Sequence, residues 1–280
     1  MTTSVAPDIP ASLRDFAGSL TLVGCGNMAG AMLARWLDLG LDPERVTVVR
    51  PSGAAVAEGV RVVTDIAELA PVSGLVLLGF KPQQLADSGP AVARALAPDA
   101  TVISILAGVA LADLEAMFAG HHCIRAMPNM PVREGEGVVL LAGERPAAAD
   151  MAVDKLMAGL GYNQWLADEA AFDLYSALSG CGPAYLYRVI EAMTGAATRL
   201  GLPQDEALAI TKAMVRGASG SALRSPLTPG ELVAQVASKG GMTQAGLDVL
   251  DSDGQLAAIF TDTLRAARDR GKELADAARG

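Results

Sequence analysis

Cysteine, histidine and aromatic residues are scarce in this chain: 280 residues contain 3 Cys, 2 His, 5 Phe, 4 Tyr and 2 Trp, and 22 basic residues face 31 acidic ones. Each scarcity excludes something. Cys25, Cys123 and Cys181 are odd in number, far apart and without C-x-x-C spacing. They offer neither a disulfide frame nor a zinc site, so they are expected to be small core hydrophobes of a protein in a reducing compartment, the cytoplasm. His121 and His122 are neighbours in a strand-like run and point to opposite faces, a poor metal pair or catalytic dyad; no metal is expected. The net charge of −9 repels phosphate backbones and anionic headgroups. Nucleic acid and membrane are therefore not expected partners, and any phosphate ligand must be held by local backbone donors. The longest uncharged stretch, Phe16 to Ala34, is broken by Asn27 and by Gly18, Gly24, Gly26 and Gly30, and it follows Asp8 and Asp15 against a lone Arg14. That pattern fits neither a membrane span nor a leader with a basic start.

What is abundant is glycine, 30 residues, in a chain 51% hydrophobic and 19% charged. This is a globular composition with tight turns and small-residue packing. From Ser19 to about Leu166, short apolar runs alternate with longer Ala-rich segments, the pattern of a parallel βαβ sheet. Strands are expected at Ser19–Val23, Arg45–Val49, Val60–Val63, Gly74–Phe80, Thr101–Ile105, His122–Ala126, Gly137–Ala142 and Tyr162–Leu166. Met28–Leu39, Gln83–Leu96 and Ala147–Gly159 are the expected covering helices. After Asp168 the strand signals stop. Helical segments are expected at Ala170–Leu200, with a bend at Gly182-Pro183, then at Gln204–Arg224, Pro229–Ala237 and Thr243–Arg270. The fold class is α/β, with a parallel-sheet domain over residues 1–166, of which 1–15 form a loose tail, and an all-helical domain over 167–280.

The strongest motif is Gly24-Cys25-Gly26-Asn27-Met28-Ala29-Gly30, between the first strand and a helix. Gly24 permits the turn, Gly26 lets the backbone approach a pyrophosphate, and the helix start supplies unpaired N–H groups. A tight turn without a ligand explains the same residues. At the second strand's end, where an NAD-binding chain places an acid, stand Arg50, Pro51 and Ser52. Arg50 can pair with a 2′-phosphate and Ser52 can donate to it, which favours NADPH, with NADH possible. Phe80-Lys81-Pro82 and Met127-Pro128-Asn129 follow two further strands at their carboxyl ends, where open sheets bind ligands; each is either a site or an ordinary loop. Ser238-Lys239-Gly240-Gly241-Met242-Thr243 exposes successive N–H groups at a helix start, suited to a small carboxylate, and a plain interhelical turn explains it equally well.

Taken together, the ordered motifs resemble the pyrroline-5-carboxylate reductase family. The resemblance runs from about Leu20 to Gly271 through the G-x-G-x-M-A loop, Lys81-Pro82-Gln83, R-x-M-P-N at Arg125–Asn129, S-G-x-G-P-A-Y at Ser179–Tyr185 and S-x-G-G-x-T at Ser238–Thr243. It implies a Rossmann-type domain binding NAD(P)H and a helical domain that interlocks with a second subunit, with an active site completed across the homodimer and dimers assembled into a larger homo-oligomer. The cofactor set it implies is Gly24 to Ala29 with Arg50, Ser52, Phe80, Lys81, Pro82, Ala107 and Asn129. The implied substrate set is Ser238, Gly240, Gly241, Met242 and Thr243. Thr243 and Ser176 are the implied catalytic hydroxyls, Thr243 near the ring nitrogen of the pyrroline. Lys239 and Met242 depart from the usual S-P-G-G-T-T loop. A related reductase of the β-hydroxyacid dehydrogenase kind would want a lysine on the first long helix of the second domain, and Ala170–Leu200 has none. A nucleotide-binding dimer without turnover is the non-enzymatic alternative.

Overall fold

The computed structural model of the chain describes residues 12–145 and 152–279 and divides into two compact units. The first runs to Cys181 and takes in the chain from Ala267 onward; the second is Gly182–Ala266.

The first unit is built on one eight-stranded sheet: β1 (Leu20–Val23), β2 (Val46–Val49), β3 (Arg61–Val63), β4 (Leu75–Leu78), β5 (Thr101–Ser104), β6 (His122–Pro128), β7 (Gly137–Ala142) and β8 (Gly161–Trp165). Their order is β3-β2-β1-β4-β5-β6-β7-β8. All eight expected strands are present. One pairing is not parallel: β7 runs antiparallel to β6, with Arg125 opposite Ala142, and β8 is parallel to β7. The connection from Pro128 to Gly137 explains this, because a parallel crossover needs a dozen or more residues.

Successive strand residues go to opposite faces. Leu20, Leu22, Leu75 and Leu77 pack with Met32, Leu33 and Trp36 of α1 (Asn27–Asp38). Val23, Val76 and Leu78 pack on the other face with Val92 of α2 (Leu85–Ala95) and Leu114 of α3 (Leu111–Met117). This double-sided burial is why the strands read as continuous apolar runs. α3 was not expected, because its seven residues are too short for a clear helical period. Of the expected helix Ala147–Gly159, α4 covers Ala152–Ala158, and residues 146–151 lie outside the described residues. The Trp36 indole N–H donates to the Leu156 carbonyl at 2.7 Å and ties α1 to α4.

The expected helix Ala170–Leu200 is two helices, α5 (Phe172–Ser179) and α6 (Gly182–Arg199). Pro183 therefore does not bend a continuous helix. It stands at the start of α6, where its missing N–H costs nothing. α5 belongs to the sheet unit, its Phe172 buried with Leu140 and Ala142 of β7. The cut between compact units thus falls after the last helix that the sheet buries, whereas the expected junction at 166/167 marks the last strand.

The second unit contains α6, α7 (Gln204–Arg224), α8 (Pro229–Val236), α9 (Met242–Leu250) and the first part of α10 (Gln255–Arg279). Among its described residues only Thr194, Ala207 and Thr211 are buried, while Leu186, Tyr187, Ile210, Val236, Val249 and Ile259 are exposed. Taken as a single copy, this unit has no apolar core of its own. None of the described helices is long and apolar enough to cross a membrane.

Candidate active site

The strand order reverses between β1 and β4, and the crevice outside their carboxyl ends is where an open α/β sheet binds a ligand. Here it is a cavity of about 800 Å³, lined by Gly24, Cys25, Gly26, Asn27, Arg50 and Ser52 together with Phe80 and Lys81. Gly24 has φ +84°, and a Cβ there would stand 2.7 Å from the Phe80 nitrogen. Gly79 lets the turn close from the other side: a Cβ on it would meet the Ala29 methyl at 2.8 Å. Ala29 thus serves as the small residue that brings α1 against the tip of β4, the packing role of the third position of the motif. Gly26 is the N-cap of α1 and offers no side chain to it. The first intrahelical bond runs from Gly30 N–H to the Gly26 carbonyl at 2.8 Å, so the N–H groups of Asn27, Met28 and Ala29 remain to donate to a ligand.

Arg50 sits at the end of the cavity beyond β2, where its guanidinium makes a long bond to the Ala54 carbonyl, 3.5 Å, and no other side-chain bond among the described residues. Its charge reaches the Cys25 thiol and partly offsets the burial that raises the pKa of that thiol. The residues therefore fit a dinucleotide carrying a 2′-phosphate: free amides for the pyrophosphate, and an arginine with Ser52 beside it.

Other expected cofactor residues lie outside the lining. Met28 and Pro82 are half-buried beside it, and Ala107 is exposed on the loop after β5. Asn129 is buried, and the protein itself uses both ends of its amide: Nδ2 donates to the Ser179 carbonyl at 2.9 Å, and Oδ1 accepts from Val138 N–H at 2.8 Å. Thr64, Asp65, Gln84, Asp87 and Ser88 line the cavity unforeseen. Thr64 and Asp65 follow β3, so the rule that ligands lie at carboxyl strand ends, applied to one more strand, would have found them.

Of the three cysteines, only Cys123 is fully buried; burial, together with Glu115 nearby, pushes its thiol up to about 11. Cys25 is half-buried in the cavity wall, and Cys181 is exposed, not the core residue expected. Its position between α5 and α6 removes it from any packed face. His122 Nε2–H donates to the Glu144 carbonyl, 2.6 Å away, and no group of His, Cys, Asp and Glu among the described residues has the arrangement of a metal site.

In the helical unit, Gly240 has φ +73°, Gly241 is the N-cap of α9, and Gly241 N–H donates to the Ser238 carbonyl at 2.9 Å. A Cβ on Gly241 would press on Ser238 Oγ at 2.5 Å. The first bond of α9 is Ala245 N–H to the Gly241 carbonyl at 3.1 Å, leaving the N–H groups of Met242, Thr243 and Gln244 without a helical partner. Thr243 and Lys239 are exposed at this corner, and Met242 is almost wholly exposed. Ser176, on α5, belongs to the sheet unit; its hydroxyl is buried with no partner among the described residues.

A glycine turn with three free amides at the switch point of a mostly parallel sheet, followed by a helical unit, is the layout of a Rossmann-type NAD(P)-dependent oxidoreductase. Comparison narrows the class. Residues 169–274 match the family model of pyrroline-5-carboxylate reductase dimerisation, and residues 19–108 match that of NADP oxidoreductase, coenzyme F420-dependent. A pyrroline-5-carboxylate reductase of Pseudomonas aeruginosa is 32% identical over 265 residues, covering 92% of this chain and 97% of that one. One from Synechocystis is 36% identical over 265 residues, covering 91% and 97%. The solved structure of a pyrroline-5-carboxylate reductase from Coxiella burnetii has a TM-score of 0.83 at 30% identity, covering 92% of this chain and 98% of that one. The chain belongs to the pyrroline-5-carboxylate reductase family.

Proposed function

We propose that this protein reduces 1-pyrroline-5-carboxylate to L-proline with NADPH as the preferred hydride donor. The observation that carries the reading is the presence, in one chain of this family, of both half-sites: the Gly24–Ala29 cradle with Arg50 beside it, and the free amides of the Gly240–Thr243 corner. NADPH, when bound, supplies a hydride to C5 of the substrate's C=N bond.

The chain's own residues bind and orient. Asn27, Met28 and Ala29 N–H groups hold the pyrophosphate, and Arg50 with Ser52 holds the 2′-phosphate. Met242, Thr243 and Gln244 N–H groups take the substrate carboxylate, and the Thr243 hydroxyl hydrogen-bonds the ring nitrogen. No strong acid is needed, because a protonated cyclic imine is already electrophilic; holding the reactants in line is worth about 7–11 kcal/mol of barrier. Ser176 is assigned as the second hydroxyl of the site.

The assembly proposed is a homodimer through the helical unit, supported by its exposed apolar residues and by the dimerisation family matched there. A larger homo-oligomer of such dimers, with the active site completed across the dimer, extends that reading. Three free cysteines fit a cytoplasmic location.

Arg50→Ala tests the cofactor preference. A charge-assisted bond to phosphate contributes about 1.5–3 kcal/mol, so the NADPH Kd is expected to rise by roughly 10- to 100-fold while that for NADH moves by less than about twofold. Equal losses for the two nucleotides would remove the 2′-phosphate from the role of Arg50. The reaction itself is tested by NADPH consumption across a panel of a cyclic imino acid, a keto acid and a β-keto acid. Consumption with the cyclic imine alone is expected; binding of NADPH without reduction of any cyclic imine would leave a nucleotide-binding dimer.

A further inference from the structure

We propose that Asn129, with Arg125, is a positioning residue that clamps α5 from the end of β6 and so sets the place of Ser176, instead of contacting the cofactor. The role given to Ser176 rests on the reductase reading above; the clamp itself rests on geometry within the sheet unit.

Arg125 holds the start of α5. Its side chain is 6% exposed, Nη1 donates to Glu169 Oε1 at 2.8 Å, and Nη2 lies 3.6 Å from Asp173 Oδ1. The guanidinium carbon sits 3.8 Å from the centre of the Phe172 ring. Glu169 Oε1 also accepts from Leu111 N–H at 2.9 Å, which joins the start of α3 to the same point. Asn129 holds the other end. The last carbonyls of a helix lack intrahelical donors, and the Asn129 amide satisfies that of Ser179 while its oxygen is fixed by Val138 of β7. Asn129 is 6% exposed, so water does not compete for these bonds.

Ser176 lies between the two holds. Its carbonyl accepts from Gly180 N–H at 2.8 Å and Cys181 N–H at 3.2 Å, tightening the turn that the Asn129 bond caps. An apolar contact would bury α5 equally well but is non-directional; two hydrogen-bonded ends fix both the position and the rotation of the helix. The Ser176 hydroxyl is buried without a hydrogen-bond partner among the described residues, so no bond of its own adds to the constraint that the helix ends supply.

The test is Asn129→Asp in the full chain. The substitution keeps the size and the acceptor for Val138 N–H, and sets a carboxylate oxygen against the Ser179 carbonyl where a donor stood. Burial and that carbonyl raise the pKa of the introduced carboxyl, and once protonated it donates again. Relative to wild type, kcat/KM for pyrroline-5-carboxylate is expected to fall about tenfold at alkaline pH, while the NADPH Kd changes by less than about twofold. The ratio of variant to wild type should climb back toward one as pH falls. Parallel loss of NADPH affinity, or a ratio independent of pH, would overturn the proposal. Asn129→Ala, which introduces no charge, should show the same separation of substrate from cofactor effects without recovery at low pH. Hydrogen exchange at the Gly180 and Cys181 amides should be faster in both variants, and unchanged exchange would also overturn the clamp. This readout needs no turnover: if wild type reduces no cyclic imine, the reductase reading fails while the exchange result still decides the clamp.

Discussion

Gly24→Ala is expected to weaken NADPH binding by about a hundredfold, a change to be read by quenching of protein fluorescence or by calorimetry. Two costs combine. A residue with a Cβ at φ +84° loses roughly 1–2 kcal/mol to crowding in the left-handed region. The added methyl would also stand 2.7 Å from the Phe80 nitrogen and 2.9 Å from the Gly79 carbonyl carbon, both main-chain atoms that cannot swing aside as a side chain would. The turn must therefore withdraw from the tip of β4, and the amides at the start of α1 move with it. A total near 3 kcal/mol is about a hundredfold in Kd. Gly26→Ala is the informative comparison. Its Cβ meets nothing within 4 Å and its φ is −82°, so the free protein should keep its Tm. The methyl would instead occupy the approach to the pyrophosphate, so affinity should fall without loss of stability. A Gly24→Ala protein with wild-type affinity would show that the nucleotide does not rest on this turn.

Thr243→Ala is expected to lower kcat/KM for pyrroline-5-carboxylate by about a hundredfold, near the low end of the 10²–10⁴ range for a positioned proton-transfer partner. The NADPH Kd should stay within about twofold of wild type, because the cradle belongs to the other compact unit. Thr243 is exposed at the second position of α9, so its loss costs little folding stability. Its backbone N–H is retained in the variant and continues to serve the carboxylate. Thr243→Ser, which restores the hydroxyl, should recover most of the rate. Unchanged turnover in the alanine variant would remove Thr243 from the chemistry.

The sheet was legible because its strands are buried on both faces, and runs such as Leu75–Leu78 admit no polar interruption. The Gly24–Ala29 turn was legible because a positive φ, a close approach of main chain to main chain and a small helix residue each demand a residue type. Other features depend on distances between parts of the chain that sequence separates. The antiparallel direction of β7 differs from the expected parallel sheet; it follows from the short connection after Pro128, a strand end that the structure places two residues beyond the expected Ala126. The break between α5 and α6 was hidden because Ser179 to Pro183 carries no polar run, and the glycines on either side of Cys181 are tolerated inside helices as well as at their ends. Arg125 stands in the sequence as a member of an expected strand and of the R-x-M-P-N motif, and neither shows its partners. Its buried charge demanded carboxylates, and Glu169 and Asp173, one turn apart at a helix start, supply them from across the sheet unit. Asn129 lies at a strand end, where sequence suggests a ligand contact; the Ser179 carbonyl and Val138 N–H that meet its amide come from parts of the chain that only the fold brings together.

The most direct measurement follows the hydrogen itself. The wild-type protein is given 1-pyrroline-5-carboxylate and NADPH deuterated on the transferred face of the nicotinamide, and the product is read by NMR and mass spectrometry. Proline carrying one deuterium at C5, formed in step with NADP⁺, is the predicted result; cofactor oxidation without labelled proline, or proline with no label, would contradict the account.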